Sequence, residues 1–148
     1  MGELPLRIRM LFCLLLPIVN GMTLGSPSDA IPKYSELLRF YDLALSRVVS
    51  KQGRVDYSNL QSERILLDRF VDGIASIPLK RMSKPEQLAF WINAYNALTL
   101  RIIIDHYPIR PGIISNPMYP SNSIRQIPGA WNKIKFRIAG QLLTLDNI

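Results

Sequence analysis

Glu86, Asn93, Tyr95 and Asn96 lie close together in the stretch "EQLAFWINAYNALTLRIII", Glu86 to Ile104. A carboxylate there could act as a base, a phenol as an acid, and two amides could both donate and accept hydrogen bonds. The stretch reads as a helix that is apolar almost all the way round. Residues seven apart on a helix return to within about 20° of one direction, so Glu86 and Asn93 share a stripe. Asn96 lies three residues on, with Ala89 and Ala97 beside it. Trp91, Tyr95, Leu98 and Ile102 make a second, bulkier stripe. Leaving an amide buried and unpaired costs about 1–3 kcal/mol, so two amides imply partners. Either they fasten an irregular loop that the small alanines let approach, or Glu86, Asn93, Asn96 and Tyr95 line a cleft for a polar ligand.

Other chemistry is scarce. Asp56 in "GRVDYSNL" is a candidate general base or the holder of its turn, and His106 stands where a helix C-terminus favours a cation. Ser58 and Ser83 have the spacing of helix caps rather than of nucleophiles. With one histidine and one cysteine in the chain, zinc sites built from several such ligands and Cys–His pairs are excluded within this sequence. The eight glycines are scattered, with no phosphate-cradling loop. No metal and no cofactor is expected.

The net charge is +7. Its late excess includes Lys133, Lys135 and Arg137, which alternate with Ile134, Phe136 and Ile138 in "KIKFRI". That alternation is a strand with one basic, solvated face. The face is a candidate contact for an anionic surface or an acidic protein. Membrane-surface binding through it predicts salt-sensitive attachment to anionic vesicles.

The elements that must position these groups follow from pattern. Residues 1–25 have the layout of a signal peptide, with Arg7 and Arg9 before a short apolar run. Export to a periplasm or beyond is therefore expected, which makes nucleic acid an unexpected partner. Membrane contact is then confined to the leader or to weak surface binding. Residues 26–32 read as a linker, and 33–148 as a single α+β domain. Within it, Tyr34, Leu37, Leu38, Tyr41, Leu45, Val48 and Val49 recur at helical spacing. "SNLQ" predicts a capping box at Ser58 that opens a second helix, with Leu60, Ile65, Leu66, Phe70, Ile74 and Ile77 buried. "SKPE" predicts a second capping box at Ser83 for the long central helix, roughly 35 Å at 1.5 Å per residue. A proline-rich loop over 108–131 follows, with "SIRQI" as one helical turn. "KIKFRI" and "QLLTL" then form a β-hairpin about Ala139-Gly140. "LDNI" reads as an N-cap aspartate opening a further helix, and the domain is expected to be truncated at its C-terminus.

"GRVDYSNL", "EQLAFWINAYNALTLR", "SIRQI" and "GQLLTLDNI" together resemble the domain of unknown function 547 family, over Gly53 to Ile148. Trp91 to Ala97 is the most specific part of that resemblance. The resemblance implies an exported bacterial protein, other members being parts of larger eukaryotic proteins, and no established reaction. It also implies a continuation carrying His and Cys residues, with a cysteine-peptidase-like fold as one option.

Two functions remain from the sequence. The first is an exported binding or interaction module, partner unidentified but with a protein or an anionic surface as candidates. The second is a hydrolase- or transferase-type enzyme that would use Glu86, Tyr95 or Asp56, its reactive half missing from this chain.

Overall fold

The computed structural model describes residues 30–110 and 117–148, with side chains from Tyr34 onward. The leader, the first residues of the linker and part of the proline-rich loop lie outside the described residues. Four helices and a hairpin form an α+β fold: α1 (Ala30–Val48), α2 (Tyr57–Ser62), α3 (Ile65–Gly73), α4 (Lys84–Asp105), β1 (Phe136–Ile138) and β2 (Gln141–Leu143). Ala30–Pro32, assigned to the linker from composition, are the first turn of α1.

α1 buries Tyr34, Leu37, Tyr41, Ala44 and Val48, a single stripe at three- and four-residue spacing. That stripe packs on α3. Gly73 faces the Leu37 side chain so closely that a Cβ there would collide with its methyls. Tyr41 stacks on Phe70 with ring centroids 4.6 Å apart. Its hydroxyl is buried with no partner among the described residues, and burial raises its pKa. An unsatisfied buried hydroxyl costs stability. Tyr41→Phe is therefore expected to stabilise the fold by about 1 kcal/mol, read as a shift of the urea midpoint at unchanged slope. A loss of stability would mean that the hydroxyl has a partner.

The single second helix expected from the sequence is two. Asp56, not Ser58, caps α2, accepting from the Asn59 N–H at 3.0 Å. Gln61 is thereby free of the capping role and turns the other way, donating to the carbonyls of Ile104 (2.8 Å) and Tyr107 (3.0 Å). Those carbonyls lie at the end of α4, where four lack helical partners. α2 ends as the Ser62 hydroxyl bonds back to the Asn59 carbonyl, a local competitor of helix. After Glu63 and Arg64 the helix restarts with Leu67 buried, seven residues on from buried Leu60, which leaves Ile65, expected inside, 60% exposed.

α4 begins as the sequence predicts. The Ser83 N–H and hydroxyl both donate to Glu86 Oε2 at 2.7 Å, and the Glu86 N–H points back to Ser83 Oγ at 3.5 Å. Pro85 sits in the first turn, where its missing N–H costs nothing. The second half, Leu98 to Ile104, is buried all round except at Arg101. Arg101 projects into a closed ring of charge. Asp68 binds Arg64 (2.8 Å) and Arg101 (2.9 Å), and Asp105 binds the same two arginines at 2.6 and 3.1 Å. The ring ties α3 to α4. Among the described residues no helix is long and apolar enough to cross a membrane.

The hairpin pairs Phe136 with Leu143 and Ile138 with Gln141. Its two turn residues have positive φ, 48° at Ala139 and 82° at Gly140, as a tight two-residue hairpin requires. Their N–H groups donate to the carbonyls of Ile74 and Ala75 at 2.9 and 2.7 Å, docking the hairpin on the end of α3. At the C-terminus Thr144, rather than Asp146, is the cap. Its N–H and hydroxyl bond Asn147 Oδ1, and the turn that follows is 3₁₀.

Candidate functional site

The amides on α4 have separate fates. Asn93 is half-buried and donates to the Tyr34 hydroxyl of α1 at a long 3.4 Å. That phenol's pKa is raised by burial, partly offset by the bond from Asn93. The Asn96 side-chain amide makes no hydrogen bond to any described residue. Asn93 thus meets a neighbouring helix, whereas the described part of the loop is held by other groups. Glutamines fasten other segments: Gln61 the end of α4, as above, and Gln87 the connection before α4, where it donates to the carbonyls of Leu79 (3.1 Å) and Met82 (2.9 Å).

The two candidate carboxylates are occupied in capping, Asp56 on α2 and Glu86 on α4. Hydrogen bonds from the Ser83 side chain and backbone hold the Glu86 carboxyl below its ordinary 4.5. A depressed carboxyl contributes stability that is present above the unfolded value and is lost as pH falls through the folded one. The stability difference between the wild type and Glu86→Gln is therefore expected to be constant from pH 7 to about pH 5. It should shrink toward pH 3, as read from urea unfolding at each pH; a difference that ignores pH would refute the capping role of the charge. His106 ends α4, its ring Nδ1 2.8 Å from the Ile102 carbonyl.

Tyr95 leads to a different place. Its hydroxyl accepts from the Trp131 indole N–H at 3.3 Å, joining the middle of α4 to the end of the proline-rich loop. Around Trp131 the chain is tightly wound. Ile124 and Ile127 are buried on either side of the 3₁₀ turn Ile124–Gln126, which Ser123 caps by accepting from the Arg125 N–H at 3.2 Å. Gln126 donates to the Tyr119 carbonyl at 3.0 Å, drawing that residue over the turn. Gly129 has φ +73°, and a Cβ there would stand 2.6 Å from the Lys133 side chain. Its carbonyl accepts from both Lys133 (2.9 Å) and Ile134 (3.2 Å). Only glycine fits that corner without strain.

These turns bring Arg125 over two aromatic faces. Its guanidinium carbon lies 4.7 Å from the Tyr119 ring centroid and 5.7 Å from that of Trp131. It also donates to the Tyr119 hydroxyl at 3.2 Å. No carboxylate among the described residues pairs with it. Beside it lies a hollow of about 290 Å³ lined by Tyr119, Arg125, Trp131, Asn132 and the Ile127–Ala130 backbone corner. A larger hollow of about 510 Å³ runs along the outer side of α1, from Glu36 to Ser46. Its described lining is one face of one helix, so it brings together no groups from different elements, and the smaller hollow is the better site.

Lys133, Lys135 and Arg137 are exposed as expected, and Lys133 packs over Gly129 at the rim of this hollow. Of the residues singled out in the sequence, the structure gathers Tyr95 and Lys133 near one site and leaves Glu86, Asn93 and Asp56 in separate structural roles. Arg125, Tyr119 and Trp131 were not candidates. Their only sequence signal was an arginine flanked by aromatics in a loop with no periodicity. Among the described residues no three His, Cys, Asp or Glu side chains could together hold a metal.

No curated protein and no solved structure matches the chain. A family match begins at residue 79, later than the resemblance starting at Gly53, and so leaves out α1 to α3. Residues 79–148, which carry α4, the Arg125 turn and the hairpin, match the model of the family described as protein of unknown function, DUF547.

Proposed function

We propose that the chain is an exported binding module that holds an anionic group on Arg125. One observation carries this: a guanidinium held over two aromatic rings beside a hollow, with no carboxylate partner among the described residues. Stacking fixes the plane of the guanidinium and leaves its remaining N–H donors for a bidentate bond to a carboxylate. The cation–π contacts are worth about 0.5–1 kcal/mol each at an exposed site, enough to restrict the side chain before a ligand arrives. Pre-ordering of this kind lowers the entropic cost of binding.

The enzyme reading built on Glu86, Tyr95 and Asp56 has no comparable support. Both carboxylates cap helices, and the Tyr95 hydroxyl receives the Trp131 indole N–H. Benzoate and benzamide, which differ chiefly in charge, separate anion binding from simple stacking when each is titrated into the full chain with calorimetric detection. The proposal expects benzoate to bind at least tenfold more tightly. Equal affinities, or no binding of either, would overturn it.

A further inference from the structure

Shortly after the hollow beside Arg125 the chain carries three exposed cations at alternate positions. Lys133 lies at its rim over Gly129. Arg137 is exposed on β1, which is shorter than the strand expected from Lys133 onward, and Lys135 is exposed just before it, about 7 Å away at the rise of extended chain. Neither lysine bonds a carboxylate among the described residues, and Arg137 donates only to the Gly140 carbonyl, at 3.4 Å. These positive groups thus form a track with a stacked guanidinium at one end.

Resting on the reading of Arg125 as an anion site, we propose that the ligand is an extended acidic peptide with Asp or Glu at alternate positions. Such a peptide laid along β1 presents carboxylates about every 7 Å on one face. That period matches Lys135 and Arg137, while another carboxylate reaches Arg125. The peptide's own backbone and uncharged side chains suit a hollow with both aromatic and polar walls. A lipid surface presents its charge as a plane, with no fixed spacing along the chain to match these cations.

The test is fluorescence anisotropy with the full chain and labelled peptides of one composition: four Glu and four Ser in strict alternation, and the same residues as two blocks. The alternating peptide is expected to bind at least fivefold more tightly. Lys135→Ala and Arg137→Ala should each erase most of that preference, and Arg125→Ala should weaken both peptides. Equal or tighter binding of the block peptide would overturn the inference, as would tighter binding to phosphatidylglycerol vesicles than to the alternating peptide. If benzoate binds at Arg125 and the peptides show no preference, the anion site stands and the peptide assignment falls. If neither benzoate nor peptide binds, both fall.

Discussion

Asp68→Ala is expected to lower the unfolding free energy by about 2–3 kcal/mol, more than a surface ion pair is normally worth. Isolated exposed pairs contribute roughly 0–1 kcal/mol. Asp68 differs in two respects. Its side chain and that of Arg101 are only 23% and 25% exposed, so screening by water is reduced. It also serves two arginines that have just one other carboxylate between them, Asp105. Removing it leaves two guanidiniums converging on a single carboxylate between α3 and α4. The two aspartates also hold the Arg64 pKa above its already high ordinary value, Asp68 contributing first. Urea unfolding of Asp68→Ala, Asp105→Ala and the double variant measures the coupling. Members of one network are expected to be non-additive by about 1 kcal/mol or more. Two small and additive losses would reduce the ring to ordinary surface charge.

Arg125→Ala should cost at least tenfold in benzoate affinity, about 1.4 kcal/mol, while changing stability little because the side chain is exposed. Arg125→Lys separates charge from shape. Lysine keeps the cation but loses the plane that stacks on Tyr119 and the paired donors, so it should recover only part of the loss. Full recovery would mean that charge alone attracts the ligand and that the aromatic faces are incidental. Tyr95→Phe removes the acceptor of the Trp131 indole N–H without touching the hollow. A two- to threefold loss of benzoate affinity is expected from it, through a less firmly held indole ring.

Features set by local pattern were legible in the sequence, and those set by contacts between distant segments were not. The capping box at Ser83 and the basic-faced hairpin could be read because each depends on residues within a few positions of one another. The break between α2 and α3 has no glycine or proline to announce it. It arises because Asp56 takes the cap that Ser58 could have taken and Gln61 is drawn to carbonyls over forty residues away. The amides of α4 stood out in the sequence. Yet Asn93 found its partner on α1, a helix whose packing against α4 no local pattern encodes. The site around Arg125 was the least legible. Tyr119, Arg125 and Trp131 converge through a 3₁₀ turn and a glycine corner, and neither leaves a period in the sequence. What the sequence did mark was Tyr95, whose hydroxyl receives the indole N–H from that site.

The binding role rests on an anion reaching Arg125 beside Trp131, and NMR can locate that event directly. The chain has two tryptophans, Trp91 and Trp131, hence two indole N–H signals, assigned by replacing each in turn with phenylalanine. On titration with benzoate, the Trp131 indole N–H and the Arg125 side-chain N–H should shift together along one saturating curve while the Trp91 signal stays in place. No shift at saturating benzoate, or shifts confined to Trp91 or to the lysines of the hairpin, would contradict the assignment of the site.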